Sequence, residues 1–168
     1  MGKKTGILLS AGALALAAAF LFLVPGRAGN AFGPSLAWGT VSRMVVQREL
    51  SGRTVEDLVP LPAAPPPGSV IELEISGKNR SGEVLKNIHA VGRIPRGCCY
   101  VGNSARCNVD AQVLLSGDNG FTFQEALPAG EGNGRGAAHS DETTDIKFVI
   151  PRVEPGAVVK AVYRMRMP

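Results

Sequence analysis

Three cysteines, a histidine and a short Ser/Asp hairpin are the residues of this chain whose types bear chemistry. Cys98 and Cys99 are adjacent, and Cys107 follows after Gly102-Asn103-Ser104. Together with His89 they would supply four soft donors to a metal. Structural zinc sites, however, space paired cysteines two to four residues apart, and neighbours in a strand point to opposite faces. The spacing therefore disfavours a metal, and in an exported chain a disulfide is the default. A turn through residues 102–104 would bring Cys107 back beside Cys99 or Cys98. We expect the pair Cys99–Cys107, a short loop worth about 2 kcal/mol at most. Cys98 shares parity with Tyr100 and is expected to be buried, and a vicinal Cys98–Cys99 bond would be strained. The third thiol is then a buried spectator or makes an intermolecular bond.

The stretch Ser116-Gly117-Asp118-Asn119-Gly120-Phe121-Thr122-Phe123 reads as a strand end, a tight turn and an aromatic strand start. Ser116 and Asp118 suit a structural turn closed by Gly120, their side chains satisfying backbone donors. Calcium at Asp118 would need more oxygen ligands than the stretch carries. His139-Ser140-Asp141 holds the residue types of a hydrolytic triad, but consecutively and in a Gly-rich loop, whereas a triad needs convergence around an oxyanion site. Glu72 and Glu74 share one face of a strand, which we read as a solvated face and not as a glycosidase pair. No Gly-rich loop opens a helix to cradle phosphate. We therefore expect no catalytic residues, no cofactor and no metal.

The elements that must position these residues have period two. Thr40 to Leu50 and Val55 to Leu61 read as two strands, the first at a sheet edge, with Ser51-Gly52-Arg53 as a turn. Prolines 60, 62, 65, 66 and 67 follow; lacking the N–H a sheet requires, they make an extended connection. Ile71, Leu73 and Ile75 then alternate with Glu72, Glu74 and Ser76. Ile88, Ala90, Gly92 and Ile94 share a face, as do Ala111, Val113 and Leu115, then Ile146, Phe148 and Ile150, and finally Val159, Ala161, Tyr163 and Met165. Short alternating runs bounded by Pro, Gly, Asn and Asp turns predict an all-β antiparallel sandwich. Residues 128–141 are expected to be its most mobile loop.

The first residues read as an address. Lys3 and Lys4 precede the uncharged run from Ile7 to Val24, which Pro25-Gly26 breaks. Small residues surround Ala28 and Ala31, as at a secretory cleavage point. The run is long for a signal core of roughly 7–15 residues and approaches the roughly 17–25 that span a bilayer. Residues 1–31 are thus a signal peptide or an uncleaved anchor helix, with membrane contact through residues 7–24 in the second case. The chain has 18 Lys and Arg against 14 Asp and Glu, and three of the basic residues lie in this segment. What remains is nearly neutral and unclustered, which argues against nucleic acid. One Trp, two Tyr and six Phe are few for the aromatic platforms of sugar or base readers.

Several motifs in order carry a resemblance. They are Pro67-Gly68 with Val70, Leu73 and Ile75; Asn79, Leu85, Asn87 and Ile88; Ile94-Pro95, Gly97, Tyr100-Val101, Gly102 and Ser104-Ala105; and Glu154-Pro155-Gly156 before Val159, Ala161 and Tyr163. Together they resemble the DUF11 conserved-repeat domain of bacterial envelope and surface proteins. The resemblance covers roughly residues 67–167 and implies an immunoglobulin-like, extracytoplasmic β-sandwich. This chain departs from it in carrying one unit, and in placing Cys98 and Cys99 where polar or apolar residues usually stand. Residues 116–123 also resemble an Asp-box hairpin, with Phe123 in the usual Trp position; that motif is mostly structural, and here it occurs once. The organisation expected is a leader at 1–31, a spacer, edge strand and Pro-rich connection at 32–67, and a sandwich at 68–168. The function expected is non-enzymatic: presentation of edges and loops to envelope or surface proteins, including self-association through the edge strand. The rival expectation is a periplasmic metal- or ligand-binding module built on the Cys/His cluster.

Overall fold

The computed structural model describes residues 35–125 and 142–168. Among these, all regular structure is β. Ten strands run in order as β1 (Leu36–Leu50), β2 (Arg53–Pro60), β3 (Val70–Asn79), β4 (Leu85–Arg93), β5 (Cys99–Tyr100), β6 (Arg106–Cys107), β7 (Gln112–Ser116), β8 (Gln124–Glu125), β9 (Asp145–Val153) and β10 (Val158–Arg166). The first sheet has the order β2-β1-β3-β10, with β5 and β6 both paired to the far side of β10; the second has the order β4-β9-β7-β8. Every pairing is antiparallel. Residues 1–31, expected to form a signal peptide or anchor, and the whole 128–141 loop lie outside the described residues.

The alternating residues of the sequence line the space between the sheets. Ile71, Leu73, Ile75, Ala161, Tyr163 and Met165 from the first sheet meet Ala90, Leu115, Ile146 and Phe148 from the second in one buried cluster. Strand neighbours share a face, so β1 carries Trp38, Thr40, Ser42 and Met44 opposite Gly77, Ile75, Leu73 and Ile71, and of these Trp38 packs on the cluster while Thr40 is exposed. Two glycines make room for rings. A Cβ on Gly77 would lie 2.7 Å from the Trp38 ring, and one on Gly92 would lie 2.3 Å from the Tyr163 ring. Tyr163 reaches across the core and donates its hydroxyl to the Arg93 carbonyl at 3.1 Å. Burial, and secondarily the Asp145 carboxylate, push its phenol well above the ordinary range.

On β4 the alternation breaks at Asn87. Its φ of 52° reverses the parity of β4, so that Leu85 and Ile88 both pack on a second small cluster of Ile150, Val153 and Val159. Asn79 closes this end of the molecule. Fully buried, its Nδ2 donates to the carbonyls of Glu83 (2.8 Å), Val153 (3.1 Å) and Glu154 (3.1 Å). Its Oδ1 accepts from the Ser81 N–H and hydroxyl. One amide thus ties the 80–84 turn to the 154–157 turn, as a buried polar group must be satisfied.

Two expectations are corrected here. The strand from Thr40 to Leu50 begins earlier, at Leu36, and is flanked on both sides only at residues 43–45, with residues 36–42 paired to β3 alone and residues 46–50 to β2 alone. Glu72 and Glu74 are not a solvated pair. The Glu72 side chain is 4 % exposed, and its Oε2 accepts from Arg106 Nη2 at 2.8 Å and Arg164 Nε at 3.0 Å. Glu74 lies under Arg43 and Lys160. Guanidiniums from neighbouring strands roof these carboxylates, and period two alone cannot show that.

Candidate functional site at an open sheet edge

The cysteines do not converge. Cys99 stands opposite Arg166 and Cys107 opposite Ala161, on the same flank of β10. Five positions along a strand separate them by about 17 Å, far beyond the roughly 4.4–6.8 Å between Cα atoms that a disulfide tolerates. The Cys99–Cys107 pair is therefore not formed, and Cys98 and Cys107 are free thiols. The cause is the segment between them. Instead of folding back at residues 102–104, it runs along β10 as two short pieces separated by a bulge. Ser104 spans the bulge, its Oγ accepting from the Arg164 N–H at 2.9 Å. Cys98 packs against the core beside Met167, its thiol 3.6 Å from the thioether. Burial, and then Cys99, raise its pKa, which makes it a poor nucleophile.

His89 sits on the other sheet, exposed, with Nε2 at 3.1 Å from Asn87 Oδ1. It is not part of a cluster with the cysteines, and the described residues contain no group of three or more His, Cys, Asp or Glu placed to hold a metal ion. His139, Ser140 and Asp141 lie outside the described residues.

The 116–122 turn uses its own polar groups. Ser116 Oγ donates to Asp118 Oδ1 at 2.7 Å and accepts from Gly120 N at 2.9 Å. Asp118 accepts from the Thr122 hydroxyl at 2.6 Å and from its N–H at 2.9 Å. Asn119 and Gly120 take positive φ, 62° and 84°. The Thr122 hydroxyl, then its N–H and the Ser116 hydroxyl, hold the Asp118 carboxyl down to about 2. With its oxygens turned onto neighbouring donors, Asp118 is a latch within the turn. Beneath the turn, Asp145 is buried and its Oδ1 takes Arg93 Nε at 3.1 Å. The sequence did not single out Asp145; only its pairing opposite Ser116 and Arg93 places it there.

Besides residues 36–42 of β1, whose side away from β3 no strand among the described residues covers, four sheet edges remain to be compared. The β5/β6 edge is broken by its bulge, β4 is kinked at Asn87, and β8 has two residues. The β2 edge is eight residues long and unbroken. No strand among the described residues pairs with its outer side. Its phase follows from the turn. Ser51 and Gly52 both have positive φ, 53° and 76°, which is the two-residue hairpin turn matched to strand twist. Leu50 and Arg53 are then the closing hydrogen-bonded pair. Arg53, Val55, Asp57 and Val59 turn their backbone groups toward β1, and Thr54, Glu56 and Leu58 turn theirs outward.

This hairpin is also an arm. Residues 46–50 of β1 pair with β2 only, because the β3 ladder ends at Val45↔Val70. The arm extends about 17 Å past that ladder. It carries exposed apolar side chains at Leu50 (67 %), Val55 (41 %) and Leu58 (42 %), and a hollow of about 160 Å³ lined by Arg48, Glu49, Leu50, Val55 and Asp57. Arg48 and Asp57 form an ion pair across its two strands. Charged side chains on an edge discourage indiscriminate pairing, while an unpaired ladder remains a template for a further strand. No protein-family model, no curated protein and no solved structure matches the chain.

Proposed function

We propose that this chain is a non-enzymatic interaction module of the cell envelope, exported and held in the periplasm, at the cell surface or outside the cell. It is an immunoglobulin-like sandwich of the DUF11 kind that binds protein partners by strand addition to β2. The observation that carries the reading is the unbroken outer edge of β2, with Val55 and Leu58 exposed along it, while Glu56 is held back onto the sheet by Arg164 of β10. The basic, then apolar, leader supports export. The internally satisfied turn at 116–122 and the separated cysteines and His89 support a scaffold role for the rest of the molecule.

The test is a full-length chain carrying a photo-crosslinking amino acid at Leu58, with His89 on the other sheet as the control position, expressed in a bacterial host and fractionated. We expect the chain in the envelope or medium fraction, with protein adducts at position 58 well above those at 89. A chain retained in the cytoplasm, or equal adducts at both positions, would overturn the reading.

A further inference from the structure

We propose that the occupant of the β2 edge is a second copy of this chain, joined by antiparallel β2–β2 pairing about a twofold axis at Val55. The proposal rests on the edge-binding reading above and names its partner.

The register follows from charge. A twofold axis makes residue i face residue j with i + j constant, and the alternation of backbone groups along β2 requires that constant to be even. A centre at Glu56 sets Glu56 against itself, and a centre at Asp57 sets Asp57 against itself; like charges directly opposite are destabilising. A centre at Thr54 pushes the ladder into the Ser51-Gly52 turn and leaves Arg53 and Asp57 without opposite charges. A centre at Val55 puts Val55 on Val55, Thr54 on Glu56, and Arg53 on Asp57 of the second copy, twice over by symmetry. In that register the outward backbone groups of Thr54 and Glu56 form the hydrogen-bonded pair. Val55 and the two Arg53–Asp57 pairs then fall at the closer, non-hydrogen-bonded positions. In the Val55 register the Ser51-Gly52 turn of each copy ends the contact on both sides, whereas a centre at Leu58 would set Glu56 opposite Pro60, which has no N–H for the ladder. A ladder this short gives a reversible dimer in which two six-stranded sheets become continuous. The side chains that make β2 a poor generic template thereby make it a selective one, since one symmetric register sets Arg53 opposite Asp57, beside the Arg48 that Asp57 already pairs with, and the others leave Arg53 without an acid.

The experiment uses the full chain, in detergent if it stays membrane-bound. At a non-hydrogen-bonded twofold pair the Cα atoms lie about 4.5 Å apart, within reach of a disulfide. Val55→Cys should therefore link to itself on copper-phenanthroline oxidation, and peptide mass spectrometry should show a 55–55 linkage. Thr54→Cys, which faces Glu56 of the second copy, should self-link far less. Sedimentation gives a readout independent of thiols. Arg53→Asp should weaken dimerisation about tenfold or more, and adding Asp57→Arg in an Arg48→Gln background, which removes the in-chain partner of Asp57, should restore it. A monomer throughout, linkage at 54 as ready as at 55, or no rescue by the double exchange would overturn the proposal. If the chain is monomeric but position 58 still crosslinks to a different protein, the second copy is excluded and the edge-binding reading stands. If neither occurs, both fall.

Discussion

Two tight turns of this molecule use their polar groups in opposite ways. In the turn at 116–122, Ser116, Asp118 and Thr122 bond to one another and to the turn's backbone. In the 50–53 hairpin, the backbone groups facing β1 are paired, while those of Thr54, Glu56 and Leu58 on the other side face outward. The same turn vocabulary of Gly, Asn and Ser at positive φ builds both. The contrast shows what separates a scaffold from a surface. A segment whose donors are matched internally gains nothing from a partner, and one with an unmatched row does. The difference also assigns cost: changes in the matched regions should lower stability, whereas changes on the open edge should alter association alone.

The largest effect is expected where the interior is tightest. Gly92→Ala drives a Cβ into the Tyr163 ring and displaces its hydroxyl from the Arg93 carbonyl, a loss of about 3 kcal/mol. The midpoint of denaturant unfolding, followed by Trp38 fluorescence, reads it; an unchanged midpoint would show that the ring has room to move. Asn79→Ala should cost about 2 kcal/mol by the same assay, since it leaves buried carbonyls of two turns without a donor. A neutral result would place the closure of that end in the backbone alone.

Asp118→Asn probes the matched turn through pH. The folded carboxyl sits near 2 against an ordinary value of 3.8, so folding favours the ionised form. The turn's contribution is complete above about pH 4 and is lost as pH falls toward 2. The variant should therefore be less stable than the parent at neutral pH, with the gap closing through that window; a gap independent of pH would rule out the charge as its source. The smallest stability effect belongs to the open edge. Leu58→Lys should move the unfolding midpoint by no more than about 0.5 kcal/mol while suppressing the position-55 linkage. A large loss of stability would mean that Leu58 is part of the fold and not of a docking surface.

Much of the core was legible without coordinates. Ile71, Leu73 and Ile75, Ile146, Phe148 and Ile150, and Val159, Ala161, Tyr163 and Met165 all point inward as their alternation says, because side-chain direction in a strand is a local property of the pleat. The 50–53 and 116–122 turns were legible for the same reason, being set by residues within a few positions of each other. The site was less so. The expectation that Thr40 to Leu50 lies at an edge missed that β2 folds back over residues 43–50, because a sequence shows that a strand exists but not which strands flank it. The expected Cys99–Cys107 contact failed because the segment between them lies along β10 instead of turning back. Glu72 was misread because its guanidinium roof comes from β6 and β10.

The amino-acid sequence by itself determined the periodicity, the turns, the uncharged run from Ile7 to Val24 and the inward residues of this protein, since each depends on neighbours within a few positions. Tertiary structure alone decided that β2 covers residues 43–50 of β1 and ends the sheet, that the cysteines lie apart and that Glu72 is buried under Arg106 and Arg164. Those are matters of which distant strands pair and in what register, and pairing is chosen by the burial of the whole core rather than by any one segment.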